Sequence, residues 1–360
     1  MKILINKSLI LLLLCLGLGE NKVFYPISLG GSVLVGYDSN PLRLSENEIS
    51  QVNTEPYILD GANSVYSRFI NFNSNFKFYS KRTLLSYIFN ENKTIFNIGY
   101  SYKHYLDNIK KSRASYSFKI DQQLGGYQHL YIDYFLMPNY YLREYEDLDY
   151  LISNQNIEED RYLSSFFDIE KITISYQKLI GTTKNKMKFG IFNERQLFDM
   201  YFTEFDLDIN GVNIQFSFYS FNHNYFKNKR TLKVYFETLN ADNYTYLDGS
   251  FSTSYMDRSY KQNRLKFSFT QIISKGKSFG SMIDIYNRKN TSNLLEDDLH
   301  YLRKHSDITL SLWYKKNKHK VMLSNRNRIT TSPVSWVQKL KTFDRIIFTY
   351  SYSLNTIKYN

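Results

Sequence analysis

The sequence predicts an all-β chain, a transmembrane antiparallel up-and-down β-barrel of about 14 strands. Apolar and polar residues alternate with a period of two in segments of about 8 to 15 residues, as expected for two-faced strands. Long connections alternate with short ones along the chain. Aromatic residues make up 17% of the 360 residues, with 33 Tyr and 27 Phe, and such residues favour pleated, half-buried surfaces.

The N-terminal segment has the form of a secretory signal peptide. Lys2 and Lys7 accompany an apolar run over residues 9–18, which is too short to span a bilayer. Small residues follow this run, so we expect cleavage near Gly19/Glu20.

We therefore divide the chain into a signal peptide at 1–19 and a single barrel domain at 20–360. Cys15, the one cysteine, lies within the signal peptide. The mature chain would then contain no disulfide, so burial and backbone pairing must hold it together.

The alternating pattern recurs in fourteen segments. In "TIFNIGYSYKHY", Phe96 and Tyr100 share one face, whereas Asn97 and Ser101 share the other. The last segment, "DRIIFTYSYSL", has the same two faces. In chain order, the predicted strands lie near residues 29–38, 63–79, 93–105, 112–122, 127–137, 163–178, 186–193, 203–219, 230–238, 259–273, 278–288, 306–316, 320–328 and 342–354.

The connections predicted between these strands sort by length. Most odd-numbered ones are long, at 39–62, 138–162, 239–258, 289–305 and 329–341. Most even-numbered ones are short, such as "QLGGY" and "SKGK". This sorting is typical of outer-membrane barrels, which carry long external loops at one rim and short periplasmic turns at the other.

Two phase slips interrupt the alternation, one near residues 166–168 and one at Asn210-Gly211. A slip of one residue indicates a β-bulge, although Asn-Gly also suits a hairpin turn. Several tyrosines lie near predicted strand ends, where membrane-interface girdles are expected. They are Tyr37, Tyr66, Tyr105, Tyr116 and Tyr352.

The pattern and the opening strand, "SVLVGYDSNPLRLSENE", resemble bacterial outer-membrane β-barrel proteins of the porin-like type. The Gly-Tyr-Asp-x-Asn step at 36–40 is similar to the first strand of poorly characterised barrels. The strand count is distantly similar to the barrel of surface lipoprotein assembly modifiers, but their helical repeat domain has no counterpart between Glu20 and Leu29. The C-terminus departs from the usual pattern, because its aromatic residue, Tyr359, is penultimate.

This resemblance implies that the chain resides in the cell outer membrane. It also implies contacts with outer-membrane lipid and lipopolysaccharide, and insertion by the barrel assembly machinery. The oligomeric state is left open.

The net charge of +12 allows two interpretations. Abundant Lys, Asn, Ile, Tyr and Phe are typical of AT-rich codon usage, which would explain the excess without a function. Alternatively, a positively charged surface or lumen attracts anions or lipid headgroups. No dense basic run or nucleic-acid-binding module is present, so no nucleic acid partner is expected.

No catalytic, cofactor or metal site is expected, and we expect that the chain is not an enzyme. The six histidines are scattered, without the spacing of a metalloprotease motif. His300 and His305 flank a long loop and could meet Asp297 or Asp298. No G-x-S-x-G motif marks a nucleophile.

The polar face of the strands is expected to line the lumen, where a net positive charge would favour anions. Alternatively, these charges pair across strands and fill the barrel. The candidate lumen-lining residues are Lys77, Lys103, Arg113, Lys119, Lys188, Lys233, Arg264, Lys266, Asp284, Arg288, Arg326, Arg328 and Arg345.

The segment after the first strand has two interpretations as well. Asp38 and Asn40 favour a local turn at the strand exit, although they could also bind a cation. If the loop folds back into the lumen, its charged residues would restrict passage. The candidate loop-1 gate comprises Asp38, Asn40, Arg43, Glu46 and Glu48.

The function predicted from these observations is a passive channel for small polar or anionic solutes or for an exported polymer. The alternative is a closed barrel that serves as a structural or adhesion scaffold through its external loops.

Overall fold

The computed structural model describes residues 27–52, 54, 65–80, 84–90, 92–146, 162–181, 184–220, 230–247 and 256–359. The predicted signal peptide and Cys15 lie outside the described residues.

The described chain is built almost entirely of long strands. Strands β1 to β7 are Ile27–Asp38, Ser67–Ser80, Thr94–Tyr105, Arg113–Gly125, Gln128–Glu146, Tyr162–Leu179 and Lys186–Phe198. Strands β8 to β15 are Leu207–Ser220, Arg230–Asp242, Tyr260–Ser274, Lys277–Asn290, Lys304–Lys316, His319–Thr331, Phe343–Ser353 and Ile357–Tyr359.

Each strand from β1 to β13 pairs antiparallel with the next one in sequence, and β14 pairs with β1. These pairings close a 14-stranded up-and-down barrel without a free edge, which confirms the predicted fold class. Beyond the last predicted strand, which ended near residue 354, a further short strand, β15, pairs with the first residues of β1. The last strand therefore continues almost to the C-terminus after a short interruption.

The two rims of the barrel differ in their connections. Strands β4 and β5, β10 and β11, and β12 and β13 are joined at one rim by two residues each. Strands β11 and β12 are joined at the opposite rim by residues 291–303, and β13 and β14 by residues 332–342. We call these the short-turn rim and the long-loop rim.

Side chains alternate between an apolar outer face and a polar inner face. Along β12, for example, Ile308, Leu310 and Leu312 are exposed on the outer face, whereas Asp307 and Ser311 are buried on the inner face. Exposed apolar residues recur at outward positions of the other strands, as Val35 and Phe348 illustrate. Such a band of apolar residues is expected where a barrel contacts acyl chains.

The long connection predicted at 138–162 is wrong in its first part. Residues 138–146 continue β5 and pair with β6 through two register shifts, at Met137/Tyr140 and Tyr141/Glu144. The extra residues lie on β5, whose Pro138 cannot donate to the ladder and whose Asn139 has a φ of 52°. These bulges break the alternation, so the strand reads as a loop. The β6 slip near 166–168 is therefore explained by bulges on its partner.

The predicted slip at Asn210-Gly211 is neither a bulge nor a hairpin. Both residues pair regularly in the middle of β8, with β7 on one side and β9 on the other. A Cβ at Gly211 would lie 2.4 Å from Cζ of Phe192, so glycine leaves room for that ring. Here Ile209 points inward and is buried, whereas Asn210 is exposed. The polarity of the two faces of β8 therefore changes near the long-loop rim, whereas the two-residue period of the strand continues.

Four of the five girdle tyrosines are exposed or half-buried, and one is misplaced. Tyr37 and Tyr116 lie on the outer face. Tyr105 is fully buried inside the barrel, where its hydroxyl donates to Asp38 Oδ2 at 3.0 Å. An inward position lacks lipid contact, so proximity to a strand end did not identify its environment.

Three short helices complete the described structure: α1 at Glu46–Gln51, α2 at Leu84–Ile88 and α3 at Ser335–Lys341. Helix α1 begins with a capping box, in which Ser45 and Glu48 satisfy each other's backbone N–H groups. It packs against α3 at the long-loop rim. None of the described helices has the length and apolar character needed to cross a bilayer.

Candidate functional site in the barrel lumen

All thirteen predicted lumen residues occupy inward positions of their strands, opposite the exposed apolar face. Their inward placement follows from uninterrupted registers, because a side chain changes face only where the register slips. They do not form one site, however. Most of them fall into a middle zone and a zone near the long-loop rim, whereas Lys77 lies three residues from the short-turn end of β2.

In the middle zone, cations face carboxylates on neighbouring strands. Lys119 Nζ lies 3.2 Å from Asp133 Oδ1, and Lys188 Nζ lies 3.9 Å from Oδ2 of the same residue. Lys171, on the same polar face, pairs with Glu194 at 3.0 Å. Cross-strand pairs of this kind compensate these cations. Four other predicted lumen residues have no Asp or Glu within 4.0 Å among the described residues, namely Lys77, Lys103, Arg113 and Lys233.

The pair formed by Arg264 and Asp284 is the best ordered of this zone. Arg264 donates through Nε at 2.8 Å and through Nη2 at 2.6 Å to the two carboxylate oxygens. Lys266 lies 3.9 Å from the same carboxylate, and Glu237 lies 3.9 Å from Arg264. Two parallel N–H···O bonds fix the guanidinium plane.

Two buried carboxylates anchor arginines closer to the long-loop rim. Asp38, fully buried, accepts from Arg345 Nε at 2.8 Å and also from its Nη2. Asp307, also fully buried, accepts from Arg326 Nε at 2.5 Å and from Arg328 Nε at 2.6 Å. Each carboxylate thus fixes one or two predicted lumen arginines in place.

The loop after β1 folds inward, and Leu42 and Arg43 line the lumen. Asn40 bridges this turn, because its Nδ2 donates to Leu44 O at 2.7 Å and to Asp344 O at 3.1 Å. Its Oδ1 accepts from Leu44 N at 2.8 Å. The side chain of Asn40 therefore holds loop 1 against the start of β14, whereas that of Asp38 is paired with Arg345.

The other three candidate gate residues lie in different environments. Arg43 reaches into the lumen, with Nη2 3.5 Å from the Tyr140 hydroxyl. Glu48 is buried, and its Oε1 accepts from Arg143 Nη1 at 3.1 Å. Glu46 is exposed at the start of α1. The structure thus brings Arg43 and Glu48, but not Glu46, to the lumen.

A cavity of about 500 Å³ lies inside the barrel at its long-loop end. Residues of nine strands, of loop 1 and of α3 surround it. None of the described residues lining it is Asp or Glu. Its walls carry eight arginine and lysine side chains, namely Arg43, Lys111, Arg143, Arg258, Arg288, Arg303, Arg328 and Lys341.

Aromatic rings hold two of these guanidinium groups. Arg288 lies 3.6 Å from the ring centre of Tyr260 and donates to Gln262 Oε1 at 3.1 and 3.0 Å. Arg258 lies 4.8 Å from the ring of Phe198 and 4.9 Å from that of Phe205. Stacking orients a guanidinium group, yet it leaves the full positive charge in the cavity.

Backbone carbonyls hold two further cations. Arg303 Nη1 donates to Leu299 O at 2.5 Å, whereas its buried Nε has no hydrogen-bond partner among the described residues. Lys111 Nζ donates to Tyr141 O at 2.6 Å. A carbonyl satisfies one donor without neutralising the cation.

Burial and, to a lesser extent, mutual repulsion lower the pKa values of these cations. Burial lowers the pKa of Arg303 to about 9, with further lowering by Arg288 and Arg258. Burial also lowers the pKa of Lys111 to about 8. The pKa of Lys341 in α3 is lowered well below its usual range by burial and by neighbouring arginines. A bound anion would relieve this repulsion.

The two loop histidines lie beside the cavity. His300 Nδ1 is 2.9 Å from Asp297 Oδ1, as the sequence suggested, and burial lowers the pKa of this imidazole well below its usual range. His305 Nδ1 contacts Thr330 Oγ1 at 2.8 Å. Across the described ranges, no three His, Cys, Asp or Glu side chains are grouped to hold a metal ion.

The sequence analysis missed five of the eight cations in the cavity wall. Lys111, Arg143, Arg258, Arg303 and Lys341 were not among the candidates. All except Arg143 lie in connections, where a charged residue is ordinarily solvated, and Arg143 lies in the part of β5 that reads as a loop. No local pattern marks them, because their convergence depends on how the connections fold over the lumen.

Neither a protein-family model nor a curated protein matches this sequence. Among solved structures, the chain is similar to the outer membrane channel DcaP of Acinetobacter baumannii, with 9% identity, a TM-score of 0.46, and coverage of 91% of this chain and 97% of that one. It is also similar to an anion-selective porin from Comamonas acidovorans, with 8% identity, a TM-score of 0.40, and coverage of 92% of this chain and 100% of that one. A third similar structure is that of OpdK of Pseudomonas aeruginosa with vanillate, with 9% identity, a TM-score of 0.39, and coverage of 92% of this chain and 99% of that one. Similarity this low does not identify a function.

Proposed function

We propose that the protein is a passive channel of the bacterial outer membrane that admits small anionic solutes. The observation that carries this proposal is the cavity of about 500 Å³ at the long-loop end, whose described lining contains eight cations and no carboxylate. A cationic, low-dielectric cavity concentrates anions at the entrance of a lumen.

Placement in the outer membrane is part of the proposal. It is supported by the exposed apolar outer face, which includes Ile98, Ile191 and Leu312. A closed barrel satisfies its own backbone hydrogen bonds, as a bilayer requires. The predicted signal peptide at 1–19, with its cleavage near Gly19/Glu20, belongs to the same proposal. So do contacts with lipopolysaccharide and insertion by the barrel assembly machinery.

The mechanism needs no moving part and no chemical step. An anion exchanges part of its hydration shell for guanidinium and ammonium donors in the cavity, and then continues along the polar lumen. Compensated pairs such as Lys171 with Glu194 present both signs along that path. Selectivity would therefore arise at the cavity, with Arg43 and Glu48 narrowing its entrance.

Conductance in planar bilayers tests the channel. Purified, folded protein should give discrete conductance steps, and a KCl gradient should give a reversal potential of the sign expected for chloride preference. Arg288→Gln should reduce that preference. Lys289→Gln, at the next position on the exposed outer face, is the matched control and should not. Folded protein without conductance steps would refute the channel.

The second candidate is a closed barrel that acts as a scaffold through its long loops. The observation favouring it is the apolar packing at the long-loop end, where Leu42, Leu44, Val52 and Tyr141 form one buried cluster. A second cluster joins Phe167, Phe198, Phe202 and Phe205. This candidate predicts normal folding, no conductance, and loss of partner or cell-surface binding when the loop at 291–303 is shortened.

A further inference from the structure

The cations of the lumen differ in what compensates them. Of the eight around the cavity, Arg143 pairs with Glu48 and Arg328 with Asp307. Within the described part of the chain, no Asp or Glu lies within 4.0 Å of the remaining six. These are Arg43, Lys111, Arg258, Arg288, Arg303 and Lys341.

Six cations without a carboxylate partner around one small cavity would be unusual if these side chains only filled the barrel interior. A buried charge is ordinarily paired, because leaving water without a partner is costly. The middle zone of the same lumen obeys that rule, as Arg264 with Asp284 demonstrates. The rings and carbonyls that hold Arg258, Arg288 and Arg303 fix the positions of these groups while leaving their charge available.

One of the six also has an unused donor. Arg303 is buried, with 8% of its surface exposed, and its Nε has no hydrogen-bond partner among the described groups. Its Nη1 is held by Leu299 O. The guanidinium is therefore fixed at the cavity wall, and its buried Nε remains without a partner among the described groups.

Part of the wall between the cations is apolar. Leu142, Ile169, Leu207, Met256 and Leu340 all line the cavity. Such side chains do not interact favourably with a small, strongly hydrated ion. They do contact the carbon skeleton of an organic ligand, and a cavity of this volume suits a small molecule.

The geometry points to a binding site in this cavity for an organic anion that carries two or more negative charges on a compact apolar body. A single charge would leave most of the six cations uncompensated. The inference rests on the proposed function, because the ligand would enter from the long-loop rim.

Calorimetric titration of the folded barrel in non-ionic detergent tests the charge requirement. The probes are benzene-1,3,5-tricarboxylate, benzoate and inorganic phosphate. The tricarboxylate should bind at least about tenfold more tightly than either of the others. Equal affinity for benzoate would overturn the requirement for several charges, and equal affinity for phosphate would overturn the apolar body.

Paired variants test the location. Arg303→Gln should weaken tricarboxylate binding by about tenfold, whereas Lys304→Gln, its exposed neighbour, should leave it unchanged. Arg288→Gln and Lys289→Gln form a second matched pair, should Arg303→Gln fail to fold. Equal affinities within both pairs would overturn the site.

The two proposals can fail separately. Tricarboxylate binding without conductance would refute the channel and leave the site standing. Anion-selective conductance with no tricarboxylate binding would refute the site and leave the channel standing.

Discussion

The middle of the lumen and its long-loop end treat positive charge in opposite ways. In the middle, Arg264 and Asp284 form a bidentate pair, and Lys171 reaches Glu194. At the long-loop end, Arg258 and Arg288 rest on aromatic rings without a carboxylate partner. The middle zone therefore behaves like the interior of a protein, whereas the cavity behaves like a site that is completed by a ligand.

Breaking a compensated pair should have the largest effect. Asp38→Asn removes the carboxylate that fixes Arg345 and accepts from Tyr105. Because it leaves a buried cation unpaired, the free energy of unfolding should fall by about 3 to 5 kcal/mol, as measured by denaturant titration in detergent. Asp107→Asn, in the exposed pair with Arg68, should have little effect on stability. Similar losses in both variants would contradict the distinction between buried and exposed pairs.

Removing an uncompensated cation should cost far less stability. Arg303→Met deletes a buried charge that has no carboxylate partner and one hydrogen bond to Leu299 O. The free energy of unfolding should change by less than about 1 kcal/mol, although tricarboxylate binding should weaken by about tenfold. A loss as large as that of Asp38→Asn would mean that Arg303 is structural.

The neutral wall of the lumen offers a test of passage itself. Small residues of β1 to β4, including Gly30, Ser101 and Ser117, surround a space of about 430 Å³. A Cβ at Gly99 would lie 2.4 Å from Ser117 Oγ, on the inner wall. The leucine side chain of Gly99→Leu should therefore displace this hydroxyl, fill part of the space and lower single-channel conductance. Ile98→Leu, one position before Gly99 on the exposed outer face, should leave conductance unchanged. Unaltered conductance in Gly99→Leu would place the path elsewhere.

The smallest expected effect is on pH dependence. Burial lowers the pKa of Lys111 to about 8, with Arg43, Arg113 and Arg345 lowering it and Tyr140 opposing them. The ammonium form binds anions and is present below this pKa, so anion affinity should weaken as pH rises through about 8. Calorimetry between pH 7 and pH 9 should register roughly one lost charge interaction, a change of a few-fold. Lys111→Met should flatten this pH dependence.

The barrel could be predicted from the sequence because its signals are local. Period-two alternation places Arg264, Arg326 and Arg345 inward without knowledge of any contact. The prediction was wrong where the environment or the register changed. Bulges concealed the end of β5, and the reversal of polarity around Asn210 looked like a slip of the backbone.

The cavity could not be predicted in the same way. Arg303 and Lys341 belong to connections whose folding over the lumen depends on long-range contacts, such as the packing of α1 against α3. Their side chains would be ordinary solvated charges in an open loop. Which cations remain uncompensated is likewise a property of the assembled barrel, because Asp307 satisfies Arg328 from a neighbouring strand.

Reversal potentials under a KCl gradient test the central claim, that uncompensated cations at the long-loop end select anions and compensated ones do not. The double variant Arg288→Gln/Arg303→Gln should lose most of the anion preference. The double variant Arg264→Gln/Asp284→Asn, which removes a neutral pair from the middle of the lumen, should retain it. The opposite result, or an equal loss in both, would contradict the account.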